Sequence, residues 1–290
     1  METFKRKIWE KFKAWKEESD GHTALLVEGA RRIGKSTAVE EYAKKEYETY
    51  ILIDFAFASQ NIKNLFNDLS DLDHFFRMLQ YYTGKELIER KSLIIFDEVQ
   101  LFPLARQAIK LLVKDHRYDY METGSLLSIK ENVKDILIPS EERAIQMYPM
   151  DYEEFCWAIG QTNSFELGRT IWQEKKSLGD DINRDLMKKF RLYMIVGGMP
   201  QSIEAFIKTN NFSKVDLVKR DILKLYENDF MKFDSSGRSS LIFDHIPAEL
   251  QKNASRYQIS SVIENARAGT MLERVAKLQD SKTVNIAYHA

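Results

Sequence analysis

The sequence predicts an α/β fold on a parallel sheet, from three observations. Five short β-rich runs, Thr23–Gly29, Tyr50–Ala56, Ser92–Glu98, Tyr118–Ser125 and Glu142–Met150, are separated by segments with helical periodicity. The first three have nearly continuous apolar cores, the pattern of strands covered by helices on both faces. Strand and helix alternate along the chain, an order that builds a parallel sheet. No fixed-period repeat or low-complexity tract interrupts the alternation.

Composition narrows the function classes. Lys and Arg total 43 against 44 for Asp and Glu, a net charge of −1, so any binding to nucleic acid or anionic lipid must be local. Cys156 is the sole cysteine, which excludes an internal disulfide and a Cys-based zinc site and fits a reducing, cytoplasmic setting. No run approaches about 18 apolar residues, so no membrane span is expected. The histidines, His22, His74, His116, His245 and His289, lack ligand spacing, and no G-x-S-x-G elbow occurs.

The elements follow in order. Phe4, Ile8, Phe12 and Trp15 recur at helical spacing, which predicts an amphipathic helix packed on its own domain. Lys5, Lys7, Lys11 and Lys13 would face solvent, and Ser19–Gly21 would end the helix. The first strand runs into Gly29, Ala30, Arg31, Arg32, Ile33, Gly34, Lys35, Ser36 and Thr37, which match G-x-x-x-x-G-K-[ST] and open a helix. Glycines there let backbone N–H groups curl around a phosphate, and the helix N-terminus adds partial positive charge. Lys35 is placed to reach the phosphates and Ser36 to ligate Mg²⁺; Arg31 and Arg32 are either solvated at the loop tip or in contact with a neighbouring subunit.

Tyr50–Ala56 adds a strand between the phosphate loop and the next chemical element. That element, Ser92–Glu98, ends in adjacent carboxylates. Asp97 is expected to hold Mg²⁺ through water and Glu98 to orient or activate a hydrolytic water.

These segments, with Met147–Phe155, Tyr193–Phe206 and Arg220–Phe230, make nearly the whole chain resemble the prokaryotic AAA-type P-loop ATPases that usually carry a C-terminal domain of unknown function. The resemblance implies ATP and Mg²⁺ as cofactors, a five-stranded core, a helical lid and a winged-helix segment. It implies a γ-phosphate sensor at the end of the fourth strand, where Thr123 and Ser125 are available and Ser125 is preferred. It also implies an arginine finger before the fifth strand. Arg143 occupies that place, alternatively pairing with Glu141 or Glu142, and Arg106 and Arg117 are weaker candidates. A finger acting in trans would make the protein a homo-oligomer. Gly197–Pro200 reads as a helix stop, and by the resemblance as a turn over the adenine.

The expected organisation is an ATPase domain over 1–155, a lid over 156–235 and a partial winged helix over 236–290, with a strand at Thr283–Ala290. The family normally continues further, so a truncated chain or shortened gene product is expected. Residues 240–290 carry a surplus of one basic residue, which favours a protein partner over duplex DNA. The expected function is Mg²⁺-dependent ATP binding and hydrolysis. The alternatives are a nucleotide-controlled interaction switch with little turnover and an ATP-assembled DNA-binding module.

Overall fold

The computed structural model describes residues 3–124, 140–252, 257–258, 262–263 and 268–287. Two compact units divide it, Met1–Val215 and Asp216–Ala290.

In the first unit, α1 (Ile8–Ser19) is followed by β1 (Ala24–Glu28), α2 (Lys35–Glu46), β2 (Thr49–Asp54), α3 (Gln60–Leu65), α4 (Leu72–Thr83) and β3 (Ser92–Asp97). A 3₁₀ turn at Val99–Leu101, α5 (Pro103–Asp115), β4 (Asp119–Gly124) and β5 (Glu142–Gln146) complete the sheet region. All five strands are parallel, in the order β2-β3-β4-β1-β5. β2, which the sequence places between the two phosphate-site strands, lies at the edge; β4 separates β1 from β3 in space.

Alternation along the strands divides the core. Leu26, Ile51, Ile53, Ile94, Phe96 and Tyr120 pack with α4 and α5 in one buried cluster. Phe55 extends it beyond β2, with ring centroids 5.7 Å from Phe96 and 5.1 Å from Phe102, so the segments after β2 and β3 share aromatic packing. α1 buries Ile8, Phe12, Trp15 and Ser19 and packs with α2. It begins at Ile8 rather than Phe4, because Phe4 joins a different cluster, and it ends at Asp20 and Gly21, both left-handed.

That second cluster joins α6 (Tyr152–Ala158), α8 (Asp180–Val196) and α9 (Pro200–Thr209) through Met150, Phe155, Cys156, Val196 and Ile203; α7 (Asn163–Gln173) contributes Phe165. This is the helical region expected after the sheet. In the second unit, Ile222, Tyr226 and Phe230 of α10 (Phe212–Phe233) are buried, as are Ile242 of α11 (Arg238–Asp244) and Met271 and Leu278 of α13 (Ala268–Asp280); α12 spans Ile246–Gln251. Asp234 ties three segments together, accepting from the Ser239 N–H at 2.8 Å, its hydroxyl at 2.7 Å and Arg274 Nε at 2.9 Å. Burial alone would raise its pKa, but hydrogen bonds from Ser236, Ser239 and Arg274 hold it below the usual carboxylate range.

The strand expected at Thr283–Ala290 is not formed over its described residues, 283–287, which are irregular. Among the described residues no helix is long and apolar enough to cross a membrane.

One polar cluster is buried between the sheet and α5. Arg106 donates to both oxygens of Glu142, at 2.8 and 2.7 Å, and Glu122 on β4 is fully buried beside that pair. Burial first, and the Glu142 carboxylate next, push the Glu122 carboxyl well above the usual range. Its folded pKa therefore exceeds its unfolded one, and the associated stability is present below the ordinary Glu range and lost as pH rises beyond it. Glu122→Gln is expected to stabilise the protein by on the order of 1–3 kcal/mol at about pH 8 and much less at about pH 5. Thermal melts at both pH values test this; a variant with the wild-type pH slope would refute it.

Candidate functional site

The parallel strands all end at one edge of the sheet, and the sequence-predicted phosphate and acid residues meet there. Beyond Glu28 the chain turns through Gly29–Gly34, whose backbone departs from the ordinary regions: Gly29 has φ 157°, Arg32 φ 68° and Gly34 φ 88°. A Cβ on Gly29 would stand 2.4 Å from the Met147 carbonyl oxygen, so only glycine allows this approach. Arg32, a non-glycine residue in the left-handed region, points outward and is exposed, whereas Ala30 and Ile33 are buried. Gly34 caps α2, and its carbonyl accepts from Ala38 N–H at 2.9 Å.

Lys35, at the first position of α2, is 7 % exposed, and its ammonium donates to the Gly29 and Ala30 carbonyls at 3.1 and 2.9 Å. Burial lowers its pKa, against the opposing charges of Glu98 and Asp97. Ser36 Oγ donates to Asp97 Oδ1 at 2.7 Å, and the Thr123 hydroxyl donates to the same oxygen. Burial raises the Asp97 pKa, the two hydroxyls oppose that shift, and Glu98 and Asp54 add to it. Asp54 ends β2 in register with Asp97, so a third carboxylate occupies the same edge.

Thr123 also accepts the Glu98 N–H at 3.3 Å. One hydroxyl thus fixes both members of the acid pair. Glu98 sits in the left-handed region, with φ 54° and ψ 45°, a conformation that costs about 1–3 kcal/mol and is typical of functional sites. The Gln100 side-chain amide donates to Glu98 Oε2.

The donor set fits Mg²⁺ with a nucleotide. A hydroxyl and a carboxylate in contact are hard oxygen ligands of the kind Mg²⁺ takes, and they adjoin a glycine-lined loop and a buried ammonium at a helix N-terminus.

Residues 21–156 match the family described as an AAA domain. This part of the chain is similar to an AAA domain. Residues 187–289 match a second family, described as a domain of unknown function. No curated protein matches the chain. Among solved structures, a Walker-type ATPase of Pyrococcus abyssi aligns at 15 % identity, over 96 % of this chain and 89 % of that one, with a TM-score of 0.51, a likeness of fold. A RuvB Holliday junction branch migration motor of Thermotoga maritima aligns at 11 % identity over 96 % and 88 %, with a TM-score of 0.40, too slight to carry an argument.

Other predicted positions fall differently. Ser125 lies outside the described residues; Thr123, its alternative, is at the site. Arg143 is on edge strand β5 in register with Leu25, upstream of the loop, and it pairs with Glu18 of α1 rather than Glu141 or Glu142, because Glu142 is taken by Arg106. Arg117 is bound by Asp115 and Asp73. Gly197–Pro200 does end α8, and it also seats beside the loop: Met150 N–H donates to the Gly198 carbonyl at 2.7 Å, and Pro200 Cγ lies 3.5 Å from where a Gly34 Cβ would stand.

Sequence reasoning passed over Gln100 as well as the double role of Thr123. Gln100 follows Glu98 by two residues, but only the 3₁₀ turn brings its amide back onto the carboxylate.

Proposed function

We propose that this AAA domain binds ATP with Mg²⁺ and hydrolyses it. The convergence of the Ser36 hydroxyl on the Asp97 carboxylate, one residue from Lys35 and one from Glu98, carries the reading. Gly29–Thr37 would cradle the phosphates, Lys35 would leave the Gly29 and Ala30 carbonyls for the β- and γ-phosphates, and Ser36 and Asp97 would hold the metal. When bound, Mg²⁺ would neutralise charge developing on the phosphate oxygens. Glu98 would orient and deprotonate the attacking water, and Thr123 holds Asp97 and Glu98 in register for it. Ser125 is proposed as the γ-phosphate sensor and Pro200 as an adenine contact.

Arg143 is proposed to act on a neighbour's site. Its pair with Glu18 is exposed on both sides, and exposed pairs contribute about 0–1 kcal/mol, so it is readily exchanged for another anion. The domain limits 1–155, 156–235 and 236–290, with a winged-helix character for the last, belong to the same proposal. So do a cytoplasmic location and a protein partner.

A second reading, a nucleotide-controlled switch with little turnover, is favoured by one contact: a Glu98 oxygen is already engaged by Gln100. Phosphate release at saturating Mg·ATP separates the two. Steady turnover supports the hydrolase, and tightly held ADP with negligible turnover supports the switch.

The trans arrangement predicts that specific activity rises with protein concentration. Mixing Arg143→Ala with Lys35→Ala subunits should then restore part of the lost turnover, since each lends what the other lacks. Concentration-independent turnover by a monomer would remove the finger role and leave the hydrolytic one.

A further inference from the structure

Arg6 precedes α1 and is 6 % exposed. Its planar guanidinium donates in three directions: Nη1 to the Ile33 carbonyl at 2.8 Å, Nη2 to the Tyr148 carbonyl at 2.7 Å and Nε to Glu154 Oε1 at 3.2 Å. Glu154 is itself held. Its Oε1 accepts the Lys7 N–H at 2.7 Å, and its Oε2 accepts the Asp151 N–H at 3.2 Å within a capping box that starts α6. Phe4 packs into the helical cluster, and Lys5 Nζ stands 4.4 Å from the Trp157 ring centroid. The segment Phe4–Lys7 is a strap joining the phosphate loop to α6.

The Ile33 contact has a specific effect on the loop. In a trans peptide the carbonyl and the following N–H point to opposite sides, and no described peptide is cis. Holding the Ile33 oxygen on the Arg6 side therefore turns the Gly34 N–H the other way. Gly34, at φ 88°, has the freedom to rotate that peptide, because glycine has no Cβ to forbid the alternative. We propose that Arg6 is a positioning residue that pins the Ile33–Gly34 peptide with its N–H turned toward the bound phosphate, and so sets the loop's affinity for a diphosphate group. The inference rests on the ATP reading of Lys35, Ser36 and Asp97.

Removing such a charge-assisted contact should weaken ADP binding on the order of 10- to 100-fold. The experiment compares the full-length wild type, Arg6→Gln and Arg6→Lys by calorimetry with ADP, and with inorganic pyrophosphate, which has no base. Lys retains a charge opposite Glu154, but its three donors diverge from one nitrogen and cannot match three acceptors spread around a planar guanidinium, so it should fold and still lose several-fold in affinity. Pyrophosphate affinity should fall by the same factor as ADP affinity, a readout that a general loosening of the base pocket would not move. A folded Arg6→Lys with wild-type affinities, or a loss for ADP alone, overturns the proposal.

A measurement on the wild type guards against misfolded variants. Because binding linkage is reciprocal, ADP should slow tryptic cleavage after Arg6 several-fold, and an unchanged rate overturns the proposal. If the wild type itself binds neither ADP nor pyrophosphate, the ATP reading fails first and the role of Arg6 with it.

Discussion

Glu98→Gln is expected to slow ATP hydrolysis by a factor on the order of 10² to 10⁴ while leaving Mg·ATP bound, because the amide keeps the shape of the carboxylate and loses its basicity. The residue sits where this separation is sharpest. Its backbone is fixed by Thr123, and its side chain is reached by Gln100, so a neutral replacement can keep its place. Ser36 and Thr123 do not depend on its charge for their side-chain hydrogen bonds, since both donate to Asp97. Single-turnover rates with nucleotide affinity measured alongside test the assignment. Hydrolysis near the wild-type rate would remove Glu98 as base, and lost binding would make it a structural residue.

Lys35→Ala is expected to lower ATP affinity below detection without unfolding the protein. The ammonium is buried under the loop, and burial lowers its pKa despite the two nearby carboxylates. The folded state thus holds the proton less firmly than the unfolded chain. Stability attached to this group rises with pH up to its ordinary range and is least where the amine is charged. Near neutral pH the fold bears that cost, as functional sites commonly do, so the alanine variant should melt within a few degrees of the wild type or above it. Calorimetry with ATP and a thermal melt of the ligand-free variant suffice. Retained affinity would detach Lys35 from phosphate binding, and a collapsed melting temperature would make it a structural residue.

The strands were legible in the sequence because each is a short apolar run bounded by turn residues, and helix-covered strands leave that mark irrespective of their neighbours. Their lateral order was not legible: nothing in Tyr50–Ala56 says edge, and nothing in Asp119–Gly124 says centre. The glycine loop and the acid pair were legible as motifs because both are contiguous, and the structure brings them together at one end of the sheet. Groups that complete them through distant pairing were not. Arg6 lies 27 residues from Ile33, and Thr123 lies 26 from Asp97. Arg143 illustrates the same limit, since local acidic neighbours suggested its partner and Glu18, far away in the chain, took it. At the other end, Thr283–Ala287 has the composition of a strand, but a strand also needs a paired edge, and composition cannot supply one.

The position of β4 has a consequence for how the protein is made. Because β4 lies between β1 and β3, the strands that carry the loop and the acid pair are two strand spacings apart, about 10 Å, and the gap is spanned by a strand that is synthesised after both motifs. A nascent chain ending at Asp115 already carries Lys35, Ser36, Asp97 and Glu98, yet it lacks the strand that sets their separation and the hydroxyl that joins the two acids. Until Thr123 emerges and β4 inserts between its two neighbours, the glycine loop and the acid pair are not held in their folded arrangement.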